Sequence, residues 1–149
     1  MSRLLTSLAL AISISALSAN AALASAPEGA KKSPIFGPEV FVSGIGCEGA
    51  VATPEQFGFV VLDTPGNEST VSGEVSLKHV AKETTFVVEL FQGAPSFACM
   101  GEEVGKLTTN RKGNGNLHFT HERFPGSSEF FILAGTPFEF LASRVVELD

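Results

Sequence analysis

The amino-acid sequence predicts an all-β protein, an antiparallel β-sandwich of about seven or eight short strands with one disulfide. Three observations carry that expectation. Apolar and polar residues alternate with a period of two in several short runs. Turn residues separate those runs roughly every eight to twelve positions, and no window of about twelve residues sustains a helical period. The two cysteines are the last of the three.

Taken in order, the chain opens on an address. Arg3 provides a short positive region, 4–17 is apolar, and small residues follow, with Ala22-Leu23-Ala24 and Ala24-Ser25-Ala26 both fitting a signal-peptidase site. The apolar run is too short for a membrane span. Residues 1–26 are therefore expected to be a signal peptide and the rest to be exported. Residues 27–38, PEGAKKSPIFGP, carry Pro27, Pro34 and Pro38 with two glycines, which reads as a flexible linker ahead of a sandwich domain over 39–149.

The first strand is expected at 39–43 (EVFVS) and the second at 57–62 (FGFVVL), closed by the turn cluster DTPGN. In the third, Val71, Gly73, Val75 and Leu77 share one face, and Ser72, Glu74, Ser76 and Lys78 the other. Phe86, Val88 and Leu90 repeat the pattern, but Val87 and Phe91 put apolar groups on the opposite face too. That strand is expected to be covered in part on both sides. Segments 104–109 and 116–120 flank NRKGNG, where Asn114-Gly115 suits the central positions of a type I′ hairpin turn. The run 128–134 reads as a strand buried on both faces. After Gly135-Thr136-Pro137 a last strand is expected over 138–148, with Phe138, Phe140 and Ala142 facing one way until Arg144 breaks the face.

The segment 77–90, LKHVAKETTFVVEL, resembles the strand–turn–strand of fibronectin type III and related immunoglobulin-like domains. Together with GKLTTNRKGNGN it is also similar to small secreted β-sandwich proteins of actinobacteria. The resemblance covers about fifty residues (71–120). It departs at Phe86, where such domains carry a tyrosine whose hydroxyl ties down the corner. It implies an immunoglobulin-like sandwich and no catalytic residue.

Cys47 and Cys99, in an exported chain, read as one structural disulfide, since the charges nearest to them in sequence are acidic and would disfavour a reactive thiolate. The formal net charge of −6 argues against nucleic acid or an anionic membrane as partner, because such binding needs clustered basic residues. Lys31-Lys32 and Arg111-Lys112 are isolated pairs.

Chemistry-bearing patterns are weak. His118 and His121 lie in one predicted strand at odd spacing, which sends them to opposite faces, and His79 stands apart, so no metal set is predicted. Asp63 to Ser69 (DTPGNES) gathers oxygen ligands but lacks the alternating acids of a calcium loop. Its Asn67-Glu68-Ser69 fits a glycosylation acceptor. No nucleophile elbow and no phosphate loop occur, so no catalytic or cofactor-binding residue is predicted. Among aromatics there are 13 Phe, no Trp and no Tyr. Most Phe suit a core, while Phe36, Phe41, Phe97 and Phe124 lie near loops or termini and are candidates for an apolar contact patch.

These readings point to a secreted, non-enzymatic interaction protein with an extracellular or cell-envelope partner. A small carrier with an apolar ligand between Phe-lined sheets is the alternative, and a hydrolase a distant third. The loops 63–69, 93–105 and 124–128 are the expected sites of function. Closing a loop across 47–99 is worth roughly 4 kcal/mol in the chain-entropy model, so Cys99→Ser should lower the denaturation midpoint clearly. An unchanged midpoint in urea would rule out the bridge.

Overall fold

A computed structural model describes residues 29–43, 47–65 and 69–149, with the backbone alone for 38–43 and 48–54. The signal peptide expected at 1–26 lies outside the described residues. Nine strands and no helix are found among them: β1 Lys31–Ser43, β2 Cys47–Asp63, β3 Thr70–Leu77, β4 Thr85–Ala94, β5 Phe97–Thr108, β6 Gly115–Glu122, β7 Glu129–Gly135, β8 Phe140–Ser143 and β9 Val146–Glu147. No helix there is long and apolar enough to cross a membrane.

All pairings are antiparallel, in the order β5-β4-β7-β8-β1-β2-β3-β6, with β9 added on β7. Only Ile35↔Ser143 and Phe36↔Ala142 join β1 to β8. That narrow junction folds the path into two layers, β1-β2-β3-β6 and β5-β4-β7-β8, which close on each other as a flattened barrel. The all-β antiparallel sandwich with a Cys47–Cys99 bridge is thus the observed fold.

The alternations work as their period demands. Val71, Val75 and Leu77 of β3, Phe86, Val88 and Leu90 of β4, and Phe130, Ile132 and Ala134 of β7 all point into one fully buried core. Val60, Leu62, Leu107, Phe119 and Leu141 complete it from the other strands. On β7 the outward residues Phe131 and Leu133 are buried as well, so the strand is covered on both faces as expected.

Residues 31–38 correct the expected linker, because they form the first part of β1. Ile35 and Phe36 are buried, and Lys31 through Ile35 pair with Leu62 through Gly58 of β2. Pro34 and Pro38 are tolerated because β1 meets β8 at two residues only, so no second ladder asks those positions for an N–H. Register shifts then bend the β1–β2 pair between Ile35 and Ser43. Its far end places Cys47 on the outer side of the second layer, where the Cys47 N–H donates to the Glu129 carboxylate at 2.9 Å.

The expected hairpin between 104–109 and 116–120 also changes. β5 pairs with β4 and β6 with β3, and no ladder joins β5 to β6. The turn centres on Gly113 (φ +75°), whose N–H donates to Asn110 C=O, while Asn110 Oδ1 accepts from the N–H groups of Lys112 and Asn114. Asn114-Gly115 is not the positive-φ pair. The Asn110 side chain supplies an Asx-type turn one step earlier, so Gly115 is left at the start of β6. A side chain at Gly115 would strike Leu107 instead.

The open β5/β6 side is tied by polar groups. Fully buried Gln92 extends the inward row of β4, donates to Glu122 C=O at 2.9 Å, and accepts the Phe124 N–H at 3.1 Å. Arg123 donates to the carbonyls of Ser127, Leu148 and Asp149. Gln92→Leu would orphan one buried acceptor and one buried donor, a cost of about 1–3 kcal/mol for each group left unsatisfied. Thermal unfolding should show a fall of several degrees; a melting temperature equal to the parent's would mean that water replaces the amide.

Candidate functional site

The three histidines stand at separate places in the fold. Exposed His118 stands opposite Glu74 on the outer face of β6, 3.9 Å from that half-exposed carboxylate. His121 falls on the other face, as its odd spacing dictates, and its Nε2 lies 2.6 Å from Glu102 across the β5/β6 opening. His79 sits in the β3–β4 connection at φ +59°, its N–H donated to Asn114 Oδ1. Among the described residues, no three His, Cys, Asp or Glu side chains converge as a metal site would require.

The nominated loops have structural roles where they are described. Asp63 is the last residue of β2, in register with Ser72; 66–68 of the acidic loop lie outside the described residues. Segment 93–105 is mostly strand, and Cys99 carries the disulfide. Segment 124–128 is a turn closed by Ser127 N–H to Phe124 C=O and gripped by Arg123.

The aromatic patch lies elsewhere than expected. Phe36 is buried beneath the Arg144 guanidinium, 5.3 Å from its ring centre, and Phe97 and Phe124 are only half-exposed. The side chain of Phe41 lies outside those described. Among the described residues the exposed rings are Phe138, at 96% exposure, and Phe140, at 53%. The sequence expectation that Phe140 and Ala142 share a face is correct, but that face is the outer one, and Leu141 points into the core. Strand β8 begins only at Phe140 because Thr136 turns the chain: its N–H donates to Glu139 C=O, and its Oγ1 accepts from the N–H groups of Phe138 and Glu139. Pro137 and Phe138 are thereby held at the tip, where no core can receive the ring.

Register then assembles a surface on the outer side of the second layer. Lys106, Val87, Gly135 and Phe140 stand side by side on β5, β4, β7 and β8. Next comes a row of Glu103, Glu89, Leu133 and Ala142, and then Gly101, Phe91 and Phe131. Gly135 leaves space that the Phe140 ring partly fills, at 2.9 Å from where a Cβ would sit. The result is a groove of about 300 Å³ lined by Thr85, Val87, Glu89, Thr136, Pro137 and Phe140. Farther along, Phe91 stacks on Phe131 with ring centres 4.6 Å apart, beside the disulfide.

The charged and polar groups of this surface are Thr85, Thr136, Lys106 and the opposed carboxylates Glu89 and Glu103. The sequence reading expected Val87 and Phe91 to be partly covered on the second face of β4, as they are, but it did not bring Phe140 beside them. No family model, no curated protein and no solved structure matches this chain.

The exposure of Phe140 makes it separable from the core. Phe140→Ala should cost less than about 1.5 kcal/mol, whereas Phe130→Ala, which empties a fully buried site, should cost roughly 3–5 kcal/mol. Equal losses in chemical denaturation would place Phe140 in the core and dismiss the surface.

Proposed function

We propose that this chain is an exported, non-enzymatic interaction protein, and that the outer face around Phe138 and Phe140 is its contact surface. One observation carries the reading: two large aromatic rings two residues apart are exposed, Phe138 almost wholly at the tip of a turn and Phe140 about half at the start of β8, where it lines a groove. Burying such a ring is worth about 1.5–3 kcal/mol, so adjacent exposed rings favour association with something that covers them. The bridge between Cys47 and Cys99 supports an extracellular or cell-envelope setting, where disulfides persist. The acidic balance supports a protein partner over nucleic acid or an anionic bilayer.

The alternative, an apolar carrier, is less well supported, because Phe86, Phe130 and Phe119 with their aliphatic neighbours fill the space between the layers. Kinship with immunoglobulin-like secreted sandwiches belongs to this reading.

The double variant Phe138→Ser, Phe140→Ser should fold with nearly the parent's melting temperature and lose retention on the isolated cell envelope of its native host. Retention equal to the parent's, with the fold intact, would overturn the assignment of this face.

A further inference from the structure

Resting on the contact surface just described, we propose that the groove at Val87, Glu89 and Phe140 receives a basic segment of a partner protein. A lysine or arginine stem lies along Val87, Pro137 and the Phe140 ring, and its cationic head meets Glu89 and Glu103.

Glu89 and Glu103 are directly opposite each other across the β4–β5 ladder. Like charges in that position destabilise a sheet pair. The ion pairs among the described residues involve Glu83, Glu74 and Glu102, and neither Glu89 nor Glu103 takes part in one. Lys106, the nearest cation in register, stands one row away opposite Val87 and bridges to neither. A register shift between Val88 and Glu89 sets the two carboxylates together at that point, as bulges do when they re-aim side chains. The fold therefore keeps a repulsive pair at the mouth of an apolar groove, and a cation from outside relieves it.

The rings supply the second half. Elsewhere in the molecule, three Phe rings already have a cation over them: Lys32 lies 3.9 Å from the centre of half-buried Phe59, Arg144 5.3 Å from that of buried Phe36 and Arg123 5.6 Å from that of buried Phe130. Phe138 and Phe140 have no such cover among the described residues. A ring face offers a cation an electrostatic seat, best used when the stem also packs on apolar surface. The groove, about 300 Å³, suits one long side chain better than a folded ligand. Glu139 beside Phe138 and the net charge of −6 extend the same preference to the approach of the partner.

The test is titration of the 15N-labelled protein with two capped peptides of equal length, one Arg-Leu-Arg and one Glu-Leu-Glu, monitored by amide chemical shifts. The arginine peptide should produce saturable shifts at Val87, Glu89, Gly135 and Phe140, weakened by raised salt; the glutamate peptide should not. The double variant Glu89→Gln, Glu103→Gln removes the repulsion without adding bulk. It should remain folded and bind the arginine peptide about tenfold more weakly. Equal affinity for both peptides, shifts confined to other surfaces, or undiminished binding by the Gln variant each overturn the proposal. So does a dimer in light scattering that the Phe138→Ser, Phe140→Ser variant dissolves, since the occupant is then a second copy. If the Gln variant stays on the envelope like the parent while the Phe variant is released, the contact surface stands and the cation specificity falls.

Discussion

The Cys47–Cys99 bridge pins a second cover over one end of an apolar sheet face. The second layer carries apolar side chains on both sides, because β7 reads Phe-Phe-Ile-Leu-Ala without a polar interruption and β4 adds Val87 and Phe91 to its outward rows. Such a face needs a second cover. The bent β1–β2 pair brings Cys47 over one end of it, and the disulfide to β5 fixes it there beside the Phe91–Phe131 stack. The stack adds about 0.5–1.5 kcal/mol beyond its burial, and the bridge a few more through the unfolded chain. The row of Val87, Gly135 and Phe140 lies two rows along the sheet from that stack, and the groove lies there.

A second constraint follows from the two-residue junction between β1 and β8. With so short a hinge, the layers must be held by the core and by polar ties at their open edges rather than by a continuous ladder. Buried Thr109 shows the pattern at one end: its Oγ1 donates to Ala81 C=O at 2.6 Å and accepts the Thr84 N–H at 3.0 Å. Gln92 and Arg123 do the equivalent work at the other end. Each of these side chains sits next to a turn or strand end with backbone groups to spare, and each satisfies more than one of them. Buried polar groups placed in this way specify how the layers are aligned, since only one alignment satisfies them all.

The strands and the disulfide were legible because each rests on local pattern: alternation for β3 and β4, an unbroken apolar run for β7, and two cysteines in a chain whose first residues read as a signal peptide. What escaped was set by tertiary pairing. Pro34 and Pro38 argue locally for a tether, and only the sparse β1–β8 contact makes a strand of them. Asn114-Gly115 carries the local signal for a turn, yet Asn110 and Gly113 make it, because β5 and β6 diverge to other partners. The surface was less legible still. Phe138 and Phe140 look like core residues in an alternating strand until Thr136 is seen to turn the chain before them. Glu89 and Glu103 are unremarkable in sequence and become a pair only through the bulged register of β4 on β5.

The aromatic inventory gives that pairing its significance. With 13 Phe and neither Tyr nor Trp, the chain has no ring with a polar tip. A contact surface made from Phe alone is sticky but indiscriminate, because apolar burial is non-directional. Tyr and Trp ordinarily supply orientation through a hydroxyl or an indole N–H. Here any orientation must come from groups beside the rings, and the register sets Glu89, with Glu103 across from it, in the row adjoining Val87 and Phe140. On the proposed reading the division of labour is explicit. The Phe rings and Val87 provide the area, and the carboxylates choose among partners that offer equal apolar surface. Selectivity of this kind works by excluding acidic segments as much as by attracting basic ones, since a third negative charge beside an opposed pair costs more than a neutral contact gains.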